Sequence, residues 1–145
     1  MRVLFVLLSL AGVVVSALAL KVHYSTDTEP CSINERWDCG IVNHSSYAEI
    51  HHVPVAAIGI AGYLALAGLA IARRRLLLVM AALVGLGFAL RLSYIEKDIL
   101  TVWCLYCVIS QVVIAIITLF SLGWLIAEQI QKSRARSADK IEISA

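Results

Sequence analysis

Apolar residues in this chain gather in four long blocks, near 3–20, 53–72, 76–95 and 102–126, separated by polar stretches. None of the blocks alternates apolar and polar residues with the two-residue period of a membrane barrel strand. A membrane helix needs ~20 apolar residues to cross ~30 Å of hydrocarbon, and each block is about that long. The pattern predicts an all-α integral membrane protein, a bundle of four transmembrane helices. The polar segment 21–52 is too small for a core of its own and is expected to cover the bundle as an extracytoplasmic cap loop. Within it, Asp27-Thr28-Glu29-Pro30 reads as a turn, and the mixed stretch from Ser45 to His52 as an amphipathic helical turn at the membrane surface. Pro54 suits the first turn of the second helix. Gly59, Gly62 and Gly68 give that helix a close-packing face. Arg73, Arg74 and Arg75 leave so short a link that helices two and three form an antiparallel hairpin. The membrane domain is thus 1–127, followed by a polar cytoplasmic tail, 128–145, disordered past the last helix.

Charge orients the bundle. With both termini in the cytoplasm, the inner side holds Arg2, Arg73, Arg74, Arg75, Lys132, Arg134, Arg136 and Lys140, and the outer side only Lys21, Arg36, Arg91 and Lys97. This is the asymmetry of the positive-inside rule. Arg91 is expected to reach outward near Glu96 and Asp98. The net charge of +2 carries no nucleic-acid signal, since topology explains the basic clusters. Arg2 followed by an apolar run and Ala17-Leu18-Ala19 also resembles a cleavable signal, but the run exceeds the usual ~7–15 residue core, which favours a retained helix. With 61% hydrophobic and 15% charged residues, a disordered chain is excluded and an ordinary soluble domain disfavoured.

The four cysteines all fall on the outer side. Cys104 and Cys107 open the last block with two residues between them, a spacing that places both thiols on one side of a helical turn, close enough for a disulfide. A helix N-terminus favours thiolate, the form that attacks a disulfide or a quinone ring. Gln111 continues the same stripe, where its amide either donates to a quinone carbonyl or bridges helices. Trp103 reads as an interface anchor. Cys31 and Cys39 enclose seven residues in the cap loop; they either staple the loop or relay electrons inward by thiol–disulfide exchange. The competing chemistry is metal binding, zinc or copper held by these cysteines with His23, His44, His51 and His52. The histidine spacings match no standard site, and no Cys-x-x-Cys-His haem signature occurs.

Cys31 and Cys39 with their seven-residue gap, then Val42, Ser45, Pro54, Gly59 and Tyr63, and finally Cys104-Leu105-Tyr106-Cys107, resemble the vitamin K epoxide reductase family, most closely its bacterial single-domain form. The resemblance covers nearly the whole chain. It implies a four-helix bundle around a quinone pocket near the outer surface. Cys104 and Cys107 are then the active-site pair, with Cys107 nearest the quinone. Cys31 and Cys39 are the shuttle pair, Cys39 exchanging with Cys104, and Ser45 orders the cap around them. The vertebrate enzymes hydrogen-bond the quinone through an asparagine, aligned here with Val55, and a tyrosine, aligned here with Gln111. The resemblance therefore does not extend to the residues that hold vitamin K epoxide.

The implied substrate is a quinone of the menaquinone, ubiquinone or vitamin K type, with no metal or haem cofactor. Many bacterial members fuse a thioredoxin-like domain that is absent from these residues, so a separate periplasmic thioredoxin-fold (DsbA-like) partner is implied. The expected setting is the bacterial inner membrane. Cys31 is expected to be the more accessible sulfur, taking electrons from the partner and passing them through Cys39 and Cys104 to Cys107 and the quinone. Convergent DsbB-type enzymes carry the Cys-x-x-Cys in the first outer loop rather than the second, the reverse of the order here.

Overall fold

The computed structural model describes residues 1–26 and 31–144; the turn expected at 27–30 lies outside the described residues. Helix α1 spans Arg2–Tyr24, the short α2 Cys39–Asn43, α3 Val55–Ile71, α4 Arg75–Ile95 and α5 Leu105–Ser144. Between α2 and α3 lie a 3-10 turn, Ser46–Ala48, and a minimal hairpin of β1 (Glu49–Ile50) and β2 (Val53–Pro54). The hairpin turn is His51 and His52, both at positive φ (50° and 65°), the backbone of a two-residue primed turn. A π-helical turn, Glu96–Leu100, extends α4 and ends at Thr101 in the left-handed conformation. Among the described residues the protein is all-α apart from the hairpin. Its helices α1, α4 with the π turn, and α5 are long and apolar enough to cross a membrane, while α3, at 17 residues, is equally apolar but shorter.

The faces explain the packing. On α1 the buried positions are Phe5, Ser9, Gly12, Ser16, Ala19 and Val22, a stripe at three- and four-residue spacing, while Val3, Leu7, Leu10, Val14 and Leu18 are exposed. An exposed apolar face this continuous suits lipid rather than water. The small residues of the buried stripe let α3 approach closely. A Cβ on Gly12 would overlap the Tyr63 ring, and one on Gly59 would stand 2.9 Å from the Ser16 hydroxyl. Gly59 thus packs as expected, but Gly62 and Gly68 face open space. Gly62 instead borders a cavity, where its missing side chain leaves room.

The core of Phe5, Tyr63, Leu66, Ala70, Leu78, Ala82, Ile114 and Ile117 draws on α1, α3, α4 and α5 together. At the end of the molecule near the α3–α4 turn, Phe5 stacks on Trp124 (5.9 Å between centroids), Arg75 lies over the Trp124 ring, and Glu128 pairs with Arg75 and with Lys132. The α3–α4 link is as short as expected, with Arg73 at φ 57° making the turn. The expected disorder past 126 is not found. α5 runs unbroken to Ser144, since no proline or glycine follows Gly123 and the Glu128–Lys132 pair at i,i+4 spans the point where the sequence turns polar.

Candidate functional site

Segment 31–43 is shaped by Asp38 and then bound to the start of α5. The Asp38 carboxylate caps α2, accepting from the Gly40 N–H (2.8 Å), the Ile41 N–H (3.2 Å) and the Ser32 hydroxyl (2.9 Å). Burial alone raises its pKa, but the bonds from Ser32, Ile41 and Gly40, with His44 nearby, outweigh it and hold the carboxyl below its ordinary value. Two backbone hydrogen bonds then join this loop to the residues before α5: Trp103 N–H to the Arg36 carbonyl (2.8 Å) and Asp38 N–H to the Trp103 carbonyl (3.1 Å). The rings of Trp37 and Trp103 lie 6.4 Å apart, so Trp103 also has a partner in the loop. One residue further along each strand of this bridge come Cys39 and Cys104.

The result is a cluster of buried sulfur. Cys31 and Cys39 form a disulfide, with Cα atoms 5.6 Å apart, and Cys104 Sγ lies 3.3 Å from Cys39 Sγ. Cys31, Cys39 and Cys104 are each 0% exposed, packed with Val22, Val42 and Val102. This corrects the expectation that Cys31 is the accessible sulfur: the loop that brings Cys39 onto Cys104 seals both ends of the disulfide. Cys107 is half-buried, and its N–H donates to Cys104 Sγ at 3.4 Å. The two thiols of Cys104 and Cys107 are free.

Cys107 also lines a largely apolar cavity of about 670 Å³ between α1, α3, α4 and α5, within the ~300–1,000 Å³ typical of small-molecule sites. Of the residues singled out in the sequence, Val55 and Ser45 border it and Gln111 does not. The Gln111 side-chain oxygen instead accepts a hydrogen bond from Ser93, which does border the cavity. Ser45 donates to the Val42 carbonyl (2.7 Å) and its own carbonyl accepts from Ala48 N–H (3.0 Å), joining α2 to the 3-10 turn. Tyr63 crosses the wall to donate to the Ser110 carbonyl (2.8 Å).

Two polar groups of the site escaped the sequence reading. Asn43 is buried; its amide donates to the Cys39 carbonyl (2.8 Å) and approaches Cys104 Sγ at 3.6 Å. Glu96 is only 2% exposed, accepts the Cys104 N–H on Oε2 at 3.1 Å and lines the cavity. The carboxyl expected to face Arg91 at the surface therefore points inward, and Arg91 itself is exposed. Asp38, as a helix-capping residue, was a legible signal for α2. Glu96 falls just past the apolar block, yet it stands three residues from Ser93 and seven from Ala89 on the cavity-lining face of α4, the spacing that could have found it.

The metal reading fares less well. Cys31, Cys39 and Cys104 present sulfurs within 4.8 Å of one another, but the disulfide removes two of them as thiolate ligands. His23 is engaged on both nitrogens, by the Asn43 carbonyl (Nδ1, 2.5 Å) and by Glu49 (Nε2, 3.1 Å), and His44 Nδ1 by the Gly40 carbonyl. His51 and His52 stand at the exposed hairpin tip.

A disulfide in contact with a free thiol, whose helical partner opens onto an apolar cavity, is the arrangement of a membrane thiol oxidoreductase. No curated protein matches the chain. The model of the vitamin K epoxide reductase family matches residues 3–122, with both cysteine pairs inside the matched region, and the chain belongs to that family.

Proposed function

We propose that the protein carries two electrons from a thioredoxin-fold partner to a membrane quinone, supporting disulfide formation on the outer side of a bacterial inner membrane. In this reading all four long helices span the bilayer, α3 with help from β2 and the α3–α4 turn, both termini are cytoplasmic, and segment 21–52 caps the outer face. The partner's dithiol reduces the Cys31–Cys39 disulfide and is itself oxidised. Cys39 then reduces a Cys104–Cys107 disulfide through a mixed disulfide with Cys104, and the Cys104–Cys107 dithiol reduces the quinone to hydroquinone.

The observation that carries this reading is the 3.3 Å contact of Cys39 and Cys104, with Cys107 three residues on and facing the cavity. One sulfur-to-sulfur step connects the loop pair to the cavity pair. The cavity runs from Ser45 and Glu96 at one end to Leu69 and Leu77 at the other. Val55 to Leu69 alone is ~21 Å at 1.5 Å per residue, a length suited to a quinone ring with a polyprenyl tail. Val55 gives that ring an apolar wall, and Gln111 acts on the site through Ser93.

The test is made on purified protein in lipid with dithiothreitol and a menaquinone or ubiquinone analogue. Cys104→Ala and Cys107→Ala each abolish quinone reduction. Cys31→Ala retains part of the dithiothreitol reaction and loses turnover with a protein dithiol. In Cys39→Ala, Cys31 traps the partner as a mixed disulfide. Activity that survives loss of both Cys104 and Cys107 refutes the reading.

A further inference from the structure

Reducing a quinone with two thiols moves two electrons and two protons, and the route of the protons is a separate question from the route of the electrons. The cavity is mostly apolar, and of the four cysteines the half-buried Cys107 is the one that lines it. Among the described residues one carboxylic acid lines it, Glu96; Tyr47, Tyr63 and Tyr106 line it too, as much weaker acids, and the Tyr63 hydroxyl is held by Ser110. Its neighbours on α4 and the π turn, Arg91, Lys97 and Asp98, are exposed, and no lysine, arginine or histidine forms an ion pair with it among the described residues. What faces it from α5 and the residue before it is the reacting pair: the Cys104 N–H donates to Oε2, and Cys107 lines the same cavity.

The placement is built by the backbone. The π turn puts an extra residue into the end of α4, and the Glu96 carbonyl accepts from both Thr101 N–H and Val102 N–H (3.2 Å for the latter). The left-handed Thr101 closes the turn. Single π turns recur at functional sites. Here Glu96 itself keeps α-helical dihedrals (φ −60°, ψ −44°) and continues the cavity-lining face of α4 from Ala89 and Ser93, while the turn after it brings the Cys104 N–H back onto a carboxylate that bulk water does not reach. A structural role alone, accepting the Cys104 N–H, needs no charge and is filled equally well by an amide.

We infer that Glu96 is the acid–base group of the thiol–quinone reaction, moving protons from Cys107 and Cys104 to the quinone oxygens; the inference rests on the quinone reading above. The Glu96 carboxylate takes the Cys107 S–H proton as that sulfur adds to the quinone ring, and the resulting carboxylic acid protonates one ring oxygen. The proton that Cys104 sheds passes by the same carboxyl to the second oxygen. Cys104 thiolate then attacks the Cys107 sulfur. The carbon–sulfur bond breaks with its electron pair on the ring, and the Cys104–Cys107 disulfide forms. Two thiols and one quinone become one disulfide and one hydroquinone, with no outside reductant.

The experiment compares wild type, Glu96→Gln and Glu96→Asp in lipid, measuring kcat and KM for a quinone analogue with dithiothreitol across the pH range. Wild-type turnover comes first, since its absence would sink the quinone reading itself and leave no reaction to catalyse. With wild type active, Glu96→Gln keeps the Cys104 N–H acceptor and is expected to lose ~100-fold or more in kcat, the scale of general acid–base catalysis. Its KM stays near wild type, and its pH profile changes shape. Glu96→Asp recovers part of the rate. A Glu96→Gln enzyme with wild-type kcat and pH profile overturns the inference. If the glutamine variant does not fold, Glu96→Asp decides: a shifted pH profile supports the role and an unshifted one overturns it.

Discussion

The Asn43 amide reaches Cys104 Sγ at 3.6 Å while bonding the carbonyl of Cys39 at 2.8 Å, so one side chain touches both halves of the sulfur relay. A donor aimed at sulfur stabilises the thiolate of Cys104, the form that attacks the Cys31–Cys39 disulfide and the form that leaves when the mixed disulfide is resolved. Asn43→Leu keeps the volume and removes the donor. The expected outcome is exchange between Cys39 and Cys104 slowed about tenfold, the scale of one hydrogen bond to a charged group. The rate of mixed-disulfide formation in a Cys107→Ser background measures it.

The sealed disulfide predicts a gate. With Cys31 and Cys39 both 0% exposed, an incoming dithiol reacts only after the loop lifts from Trp103. The Trp37–Trp103 ring pair is worth ~0.5–1.5 kcal/mol by the usual scale of aromatic contacts. Trp37→Ala should therefore raise the open population, and with it the reduction rate of the disulfide by a hydrophilic thiol, by about two- to tenfold. Alkylation of the released cysteines, followed over time, reads that rate.

Asp38 makes the loop sensitive to acid. Its folded-state pKa lies below its ordinary value near 3.8, so the ionised carboxylate favours the folded loop. That stabilisation is present above the ordinary value and is lost as pH falls through the lower folded value. Asp38→Ala is expected to cost about 1 kcal/mol at neutral pH through the missing cap, a difference that shrinks below pH ~4. Hydrogen exchange at the Gly40 and Ile41 amides, which the cap engages, follows the effect locally.

Glycines on α1 and α3 separate packing from open space. Gly12→Ala drives a methyl group into the Tyr63 ring, whereas Gly68→Ala meets nothing within 4 Å. The first is expected to destabilise by ~1–3 kcal/mol, the range for overpacking, and to lower quinone affinity because Tyr63 forms part of the cavity wall. The second should be neutral. Thermal unfolding in one lipid composition compares the pair.

The parts of this molecule legible in sequence are those written by apolar periodicity and by cysteine spacing. The long helices, the tight α3–α4 turn and the two cysteine pairs all fall there. Side chains whose placement depends on backbone detail do not. Glu96 reads as one more outer-face acid until α4 carries its cavity-lining face past Ile95 and keeps Glu96 in line with Ala89 and Ser93, and Asn43 is an isolated amide until Asp38 caps α2 and sets it beside Cys104. Gln111 shares a stripe with Cys107, yet the Ser93 hydroxyl occupies its oxygen. The end of α5 is polar in a way that predicts disorder, yet a charged helix lacking glycine and proline keeps its hydrogen bonds in water.

The π turn at Glu96–Leu100 lies between the acid and the cysteine it contacts, so it decides where α5 begins rather than where Glu96 points. An α-helix advances ~100° per residue, and the turn departs from that by a single residue's worth of chain. Deleting one residue such as Ile99 would leave every apolar run nearly intact and the glutamate in its place on α4. What would move is Cys104 and all that follows it, and an unaltered acid would be left without its sulfur.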